Sequence, residues 1–303
     1  MRKESQTHSK RLTAVVGCVA VTVLAAGCSS GNGTSAAAPT SAVPVKVDAK
    51  AAALLPGSTK SITVGVDPTI GQPWVFQEDG GSAPTGVNVE LANVIGGALG
   101  VTVTFRNTSF AGLIPGLQAK RYDMSSAPML DTTEREKTVD LVNYLHGGSA
   151  FLVSSSDTKH TDLSLTKLCG LTAGAIQGSA EALALQTQSA ACTKAGKSAV
   201  DVKQYQEGAN GVLAVTSRRI VVFDAPVAQV NYMAKNNPQL KRSGQAYNAG
   251  LSSLALAKGS TLTKAVEAGL DSVIQSGAYH RILAKYGLTS LAVKQATLNA
   301  GSG

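Results

Sequence analysis

From about residue 60 onward, stretches that alternate between apolar and polar residues are separated by longer stretches whose apolar residues recur at helical spacing. Ser61–Val66 alternates as a β-strand does, and Gly86–Leu99 places its apolar residues along one face of a helix. Val101–Arg106 alternates again. Strands and helices that follow one another in this way predict an α/β fold with a mostly parallel sheet.

The same succession of patterns continues through the rest of the chain. The predicted strands are Ser149–Ser154, Leu171–Ile176, Val200–Tyr205 and Arg219–Phe223. The predicted helices are one that begins near Ser179 and those at Val227–Lys235, Leu262–Gln275 and Tyr279–Tyr286. The tail, residues 291–303, contains Ala, Ser and Gly and matches no known pattern.

One stretch in the first half of the chain places a cation at a predicted helix start. Asp123–Ala127 is a brief strand candidate that Pro128 is expected to end, and Asp131 or Thr132 caps a new helix with Arg135 in its first turn. Free N–H groups at a helix start favour an anion, and a guanidinium can bind both oxygens of a carboxylate. The pattern therefore outlines a carboxylate receptor. An arginine on a solvated helical turn is the alternative.

The N-terminus has the pattern of an export signal. Basic residues precede the apolar run Leu12–Ala26, which is too short to span a membrane, and the run ends in Leu24-Ala25-Ala26-Gly27-Cys28. This ending resembles a bacterial lipobox, so residues 1–27 are predicted to be a lipoprotein signal peptide and Cys28 the lipidated residue. A secreted protein with an unmodified cysteine is the alternative. Residues 28–59, rich in Ser, Ala, Gly, Thr and Pro, are predicted to form a flexible tether.

Composition and charge exclude several classes of protein. The chain has 303 residues, of which 44% are hydrophobic and 15% charged, as in a globular protein. The formal net charge is +8, part of which lies in the basic start of the signal peptide. No run of Lys or Arg exceeds two residues, so nucleic-acid binding is not predicted.

Several motifs in sequence order resemble the family-3 solute-binding proteins, the amino-acid receptors of ABC importers. The stretch SFAGLIPGLQAKRYDMSSAPMLDTTER follows the family pattern of an aromatic residue, G-L-I-P-x-L, a short strand and T-x-E-R. VGVDPT and GVNVEL match motifs of the first lobe. The resemblance covers about residues 60–288. It implies a two-lobed, periplasmic-binding-protein-like type II fold with the ligand cleft between lobes joined by two crossing strands. Lobe 1 is expected at residues 60–149 and 247–290, and lobe 2 at 150–246.

The resemblance also implies which residues form a ligand site. Arg135 would bind the carboxylate of an amino acid, and Asp224 would bind its ammonium from the opposite lobe. Both charges lose water when the cleft closes, so each is satisfied mainly when a ligand bridges the lobes. Further ligand contacts are expected from the start of a lobe 2 helix, at Gly178, Ser179 and Ala180. Helix capping is the alternative role for this start and for Asp224.

Other predicted contacts follow the family positions less closely. Phe110 matches the aromatic residue that packs on the ligand, with a core position as the alternative. Ile70 stands where a second aromatic is common, and Trp74 is the candidate to replace it. Pro128 and Leu130 stand where relatives often have Gly, Ser or Thr. Asp67 resembles a position that faces the ligand side chain, which favours a polar uncharged or cationic amino acid over an acidic one.

Two cysteines remain once Cys18 leaves with the signal and Cys28 is assigned to lipidation. Cys169 and Cys192 flank a predicted strand and helix of lobe 2, and in an exported protein such a pair suggests a disulfide. Metal binding is the alternative, but two cysteines without a nearby histidine make a poor zinc site. No metal and no cofactor are therefore expected.

The sequence predicts a monomeric lipoprotein, anchored through Cys28 to the outer face of the cell membrane, that captures an amino acid by cleft closure. It would deliver this ligand to the permease of an ABC importer. Two alternatives stay open. One is an enzyme of the same fold that resembles cyclohexadienyl dehydratases, for which Glu78 and Glu90 are the acid–base candidates. The other is a sensor that docks to a signalling protein.

Overall fold

The computed structural model describes residues 44–57, 59–78 and 81–301. Its strands are β1 Ser61–Val66, β2 Phe76–Gln77, β3 Pro84–Thr85, β4 Thr102–Asn107, β5 Met124–Leu130, β6 Val139–Ser154, β7 Thr172–Ile176, β8 Asp201–Tyr205, β9 Val222–Pro226, β10 Leu240–Ala257 and β11 Ala292–Leu298. Its α-helices are α1 Ala49–Ala52, α2 Val87–Leu99, α3 Leu113–Gln118, α4 Thr133–Glu136, α5 Ala180–Lys194, α6 Gly208–Thr216, α7 Val227–Asn236, α8 Thr263–Gln275 and α9 Ala278–Lys285.

Two long strands, β6 and β10, connect two groups of shorter strands. Residues 139–147 of β6 pair with residues 250–257 of β10, and this end of the pair lies beside β5, which continues to β1 and β4. Residues 149–153 of β6 pair with β9, which continues to β7 and β8. Each group has parallel pairs and its own helices. The two-lobed α/β fold is thereby confirmed, with β6 and β10 as the crossing strands.

Helix α2 shows how local sequence positions the first lobe. Its apolar face is buried, with Leu91 and Ile95 each 1% exposed. Gly86 precedes the helix at φ +111°, and a Cβ there would lie 2.3 Å from the carbonyl oxygen of Trp74. Gly100 ends the helix in the left-handed conformation that favours glycine. A second cluster of buried residues lies in the other lobe, around Phe151, Leu185 and Val222.

Part of the predicted tether is folded. Residues 44–57 contain α1, which is capped by the Asp48 side chain and packs near α2 and α8. Ala51 is 2% exposed, and Val45 and Leu55 pack against the core. These few apolar residues pack against the first lobe. The average composition of residues 28–59 does not show this, because small and polar residues dominate it. The prediction that the tether reaches residue 59 is therefore wrong for residues 44–57, while Cys28 lies outside the described residues.

Strand β5 does not end at Pro128, contrary to the prediction. It runs from Met124 to Leu130, and the neighbouring strand β10 shifts register opposite Ala127 and Pro128. A bulge tolerates a residue without an N–H donor, so the proline interrupts the ladder without ending the strand. Similarly, β9 extends through Asp224 to Pro226 instead of ending at Phe223.

The C-terminal tail forms a structured element. Strand β11 runs antiparallel along β6, and Asn299 exchanges hydrogen bonds with the backbone of Leu141. The N–H groups of Ala300 and Gly301 donate to the side chains of Asp131 and Glu136, at 3.0 and 2.8 Å. The tail thus contacts the segment that carries Arg135.

Within residues 44–57, 59–78 and 81–301, no helix is both long enough and apolar enough to span a membrane.

Candidate ligand-binding site

Arg135 lies where the two lobes meet. Thr132 caps α4 by accepting a hydrogen bond from the Arg135 N–H at 3.3 Å, which fixes the start of this short helix. The guanidinium donates to the carbonyl oxygen of Leu130 at 2.7 Å in the first lobe and to that of Gly178 at 3.2 Å in the second. Its Cζ lies 6.0 Å from the ring centroid of Phe110. The cation therefore bridges the lobes through carbonyl groups.

The charge of Arg135 has no carboxylate in ion-pair contact within the described residues. Burial lowers the pKa of the guanidinium, and the more distant charges of Glu181 and Asp131 act in the opposite direction. A guanidinium has five N–H donors, of which the carbonyls of Leu130 and Gly178 occupy two. The remaining donors suit a carboxylate ligand.

A small cavity of about 20 Å³ lies between the lobes; its wall includes Phe110, whose ring lies near the Arg135 guanidinium, but not Arg135 itself. The lobes contact each other around it: the N–H of Gly208 donates to the carbonyl of Thr69 at 2.9 Å, and Tyr232 Oη donates to Gln72 Oε1 at 3.1 Å. The structure is therefore closed. The cavity is lined by Ile70, Phe110, Pro128, Ile176, Ser179, Glu181, Asp224, Ala225, Pro226 and Gln229.

Asp224 presents a buried carboxylate to the cavity. It is 1% exposed, and its Oδ2 accepts a hydrogen bond from the hydroxyl of Tyr247 on β10. Its Oδ1 has no hydrogen-bond partner among the described residues. Burial, followed by the negative charge of Glu181, raises the pKa of Asp224 well above its usual value. A ligand cation would stabilise the ionised form.

Glu181 is a second carboxylate of the cavity wall that the sequence analysis did not assign to the ligand. It is 6% exposed, and its Oε1 accepts from the Ser149 hydroxyl at 2.8 Å. The sequence carried a signal for it. A capping box requires Glu three residues after the N-cap, and Glu181 follows the N-cap Ser179 by only two. The Glu181 carboxylate therefore does not cap the helix, and it lines the cavity instead.

The predicted contacts at the start of α5 are partly brought to the cavity. Ser179 lines it, while its Oγ accepts from the N–H of Ala182 at 3.1 Å as a helix cap. Gly178, at φ +77°, presents its carbonyl to Arg135. Ala180 opens the helix but lies in a surface depression outside the cavity.

Three other predicted contacts lie outside the cavity wall. Asp67 accepts hydrogen bonds from the N–H and hydroxyl of Thr69 at 2.9 and 2.6 Å, and from the N–H of Phe110 at 2.7 Å. Its carboxylate thus holds two loops together. Trp74 is 1% exposed and packs in the core, and Leu130 contributes its carbonyl to Arg135. Phe110 and Pro128 do line the cavity.

The acid–base candidates of the enzyme alternative are also away from the cavity. Glu78 is exposed. Glu90 accepts from Lys285 at 2.5 Å and from the Tyr286 hydroxyl at 2.7 Å. Neither carboxylate is placed to act on a ligand in the cleft.

The predicted disulfide between Cys169 and Cys192 is confirmed, with Cα atoms 5.6 Å apart. It joins the turn before β7 to helix α5 in the second lobe. In the part of the chain that the structure describes, no three His, Cys, Asp or Glu side chains are grouped as a metal site requires.

Two lobes that close on a cation, a buried carboxylate and a small cavity define the class of type II periplasmic binding proteins. Residues 62–289 match the model of the bacterial extracellular solute-binding proteins, family 3. The chain belongs to this family, which confirms the resemblance found in its motifs.

Individual relatives are distant in sequence. The chain is 25% identical over 242 residues to the arginine-binding protein ArgT of Corynebacterium glutamicum, which covers 78% of each protein. It is 25% identical over 229 residues to the L-cystine-binding protein TcyJ of Escherichia coli K12, covering 75% of this chain and 82% of that one. Among solved structures, an ancestral arginine-binding protein bound to arginine aligns with a TM-score of 0.67 and 27% identity, over 76% of this chain and 99% of that chain.

Proposed function

We propose that this protein is a lipid-anchored receptor that captures an amino acid outside the cell membrane and delivers it to the permease of an ABC importer. The family match and the names of the relatives support an amino-acid ligand. The sequence Leu24–Cys28 supports the anchor. The protein acts as a monomer and binds its ligand without chemical change.

The observation that carries this proposal is the placement of one cation and one buried carboxylate on opposite lobes. Arg135 binds the ligand carboxylate with the N–H donors that its two carbonyl contacts leave over. Asp224 binds the ligand ammonium with its unpartnered Oδ1. A ligand that satisfies both groups stabilises the closed state more than the open state, and this difference drives closure.

Calorimetry with the soluble domain and each of the common amino acids tests the proposal. Arg135→Ala and Asp224→Asn should each weaken binding of the best ligand by about thirtyfold or more, because removing one partner of a buried charge pair costs about 2–5 kcal/mol. Arg121→Ala and Asp201→Asn remove exposed charges and serve as matched controls. Near-native affinity in both site variants would refute an α-amino acid as the ligand.

A signalling receptor would use the same cleft, so binding data alone do not separate the two roles. Measuring the uptake of radiolabelled ligand by cells that lack the gene separates transport from signalling. Loss of uptake, restored by the wild-type gene and not by an Arg135→Ala copy, supports transport, whereas unchanged uptake would contradict it.

A further inference from the structure

The wall of the cavity presents hydrogen-bond acceptors that lack donors. Gln229 is fully buried, and its Nε2 donates to the carbonyl of Ile70 at 2.7 Å. Because a carbonyl oxygen cannot donate, this contact fixes which end of the amide is nitrogen. The Oε1 of Gln229 then has no partner among the described residues, as is true of Asp224 Oδ1. A buried acceptor without a donor costs free energy, so a ligand with several N–H groups would stabilise this site.

The charges of the site point in the same direction. Asp224 and Glu181 contribute two carboxylates to the cavity wall, while Arg135 contributes one positive charge beside it and also lies in the field of Asp131 from its own lobe. A zwitterionic amino acid with a neutral side chain adds one charge of each sign, so it pairs Arg135 with its carboxylate and one of the two carboxylates with its ammonium. The other carboxylate would stay buried without a counter-ion, which is strongly unfavourable.

Groups of the protein itself do not supply this counter-ion. The guanidinium of Arg135 donates to the carbonyls of Leu130 and Gly178 and to neither carboxylate. The donor to Glu181 is the neutral hydroxyl of Ser149. Asp67, at the position that the family resemblance assigns to side-chain recognition, is occupied by Thr69 and Phe110. The second carboxylate of the cavity is therefore Glu181.

We propose that Glu181 is the counter-ion of a cation in the ligand side chain, with Gln229 Oε1 accepting a further N–H, so that the protein selects a cationic amino acid. This inference rests on the proposed function. It assigns Asp224 to the α-ammonium, which every amino acid carries, and Glu181 to the group that distinguishes one amino acid from another. Asp224 would then determine affinity for any amino acid, and Glu181 would determine the preference for a charged side chain.

Two isosteric ligand pairs test the inference by calorimetry on the wild-type protein. L-Arginine and L-citrulline differ mainly in a guanidinium against a neutral urea group, and L-lysine and L-norleucine differ in a terminal ammonium against a methyl group. In at least one pair the cationic member should bind about tenfold or more tightly, as a charge-assisted hydrogen bond predicts. Equal affinity within both pairs would overturn the inference and leave the proposed function intact. Absence of binding by any amino acid would refute the proposed function itself.

Variants then locate the selectivity. Glu181→Gln keeps the shape and the hydrogen bond from Ser149, and it should abolish the preference for the cation by weakening the cationic member. Affinity for the neutral analogue should stay the same or rise, because the charge of Glu181 also raises the pKa of Asp224. Asp224→Asn should weaken both members of a pair by the same factor. Glu267→Gln removes a half-buried carboxylate on α8 that pairs with Lys264, away from the cavity, and it should change neither affinity. If Glu181→Gln weakens both members equally, Glu181 is not the counter-ion.

Discussion

The Tyr247 hydroxyl offers a sharp test of how the protein keeps Asp224 ready for a ligand. Tyr247 lies on β10 opposite Ser149 of β6, and its ring stacks on Phe151 with centroids 5.1 Å apart. Tyr247→Phe keeps this stacking and removes the donor to Asp224 Oδ2. Since Asp224 Oδ1 has no partner among the described residues, the variant leaves the carboxylate without any side-chain donor.

The expected loss can be estimated from that one hydrogen bond. A hydrogen bond to a charged group contributes about 1.5–3 kcal/mol. Tyr247→Phe should therefore weaken binding of the best amino acid at neutral pH by roughly 10- to 150-fold. The mechanism is a further rise in the pKa of Asp224, which burial and the charge of Glu181 already raise. In the proposed complex the ligand ammonium binds the ionised carboxylate, so a protonated Asp224 must first lose its proton.

The sign of the pH dependence follows from this mechanism. A raised pKa means that Asp224 holds its proton in the ligand-free protein up to a higher pH than an exposed carboxyl does. Affinity should therefore increase with pH, and the increase should occur at higher pH in Tyr247→Phe than in the wild type. Calorimetry across a pH series measures both. Tyr286→Phe removes a donor to Glu90, far from the cavity, and is the matched control. Wild-type affinity and an unchanged pH profile in Tyr247→Phe would refute the reasoning.

Two further predictions concern the frame and the anchor. Replacing Cys169 and Cys192 together by Ala should lower the free energy of unfolding by about 3 kcal/mol in the chain-entropy model, because the disulfide closes a loop whose ends are 23 positions apart. Denaturant titration measures this free energy of unfolding. Ligand affinity should stay unchanged, because neither cysteine lines the cavity. A decrease in the free energy of unfolding of less than about 1 kcal/mol would contradict the chain-entropy model. Cys28→Ala should release the protein from the membrane fraction or leave it unprocessed, as fractionation and mass spectrometry would show; unchanged membrane association at unchanged mature mass would exclude lipidation.

Structural features that depend on neighbouring residues in the sequence were predicted well. The order of strands and helices, the cap before Arg135 and the disulfide all depend on local patterns or on two cysteines in an exported protein. Asp67 shows what such reasoning leaves out. Its sequence Asp-Pro-Thr permits a local turn in which Thr69 donates to the carboxylate, and the structure adds the N–H of Phe110, distant in sequence. The tail likewise contains no conspicuous pattern, because β11 depends on the edge that β6 offers.

The crossing strands do more than connect the lobes, because they supply the hydroxyl donors to both carboxylates of the cavity. Ser149 on β6 donates to Glu181, and Tyr247 on β10 donates to Asp224. These two donors face each other across the β6–β10 ladder, whose register shifts on both sides of Tyr247. A ladder that is interrupted there bends more easily than a regular one. Rotation of the lobes about this point would therefore move the hydroxyls that hold the carboxylates. We therefore expect a change at either hydroxyl to alter closure as well as affinity.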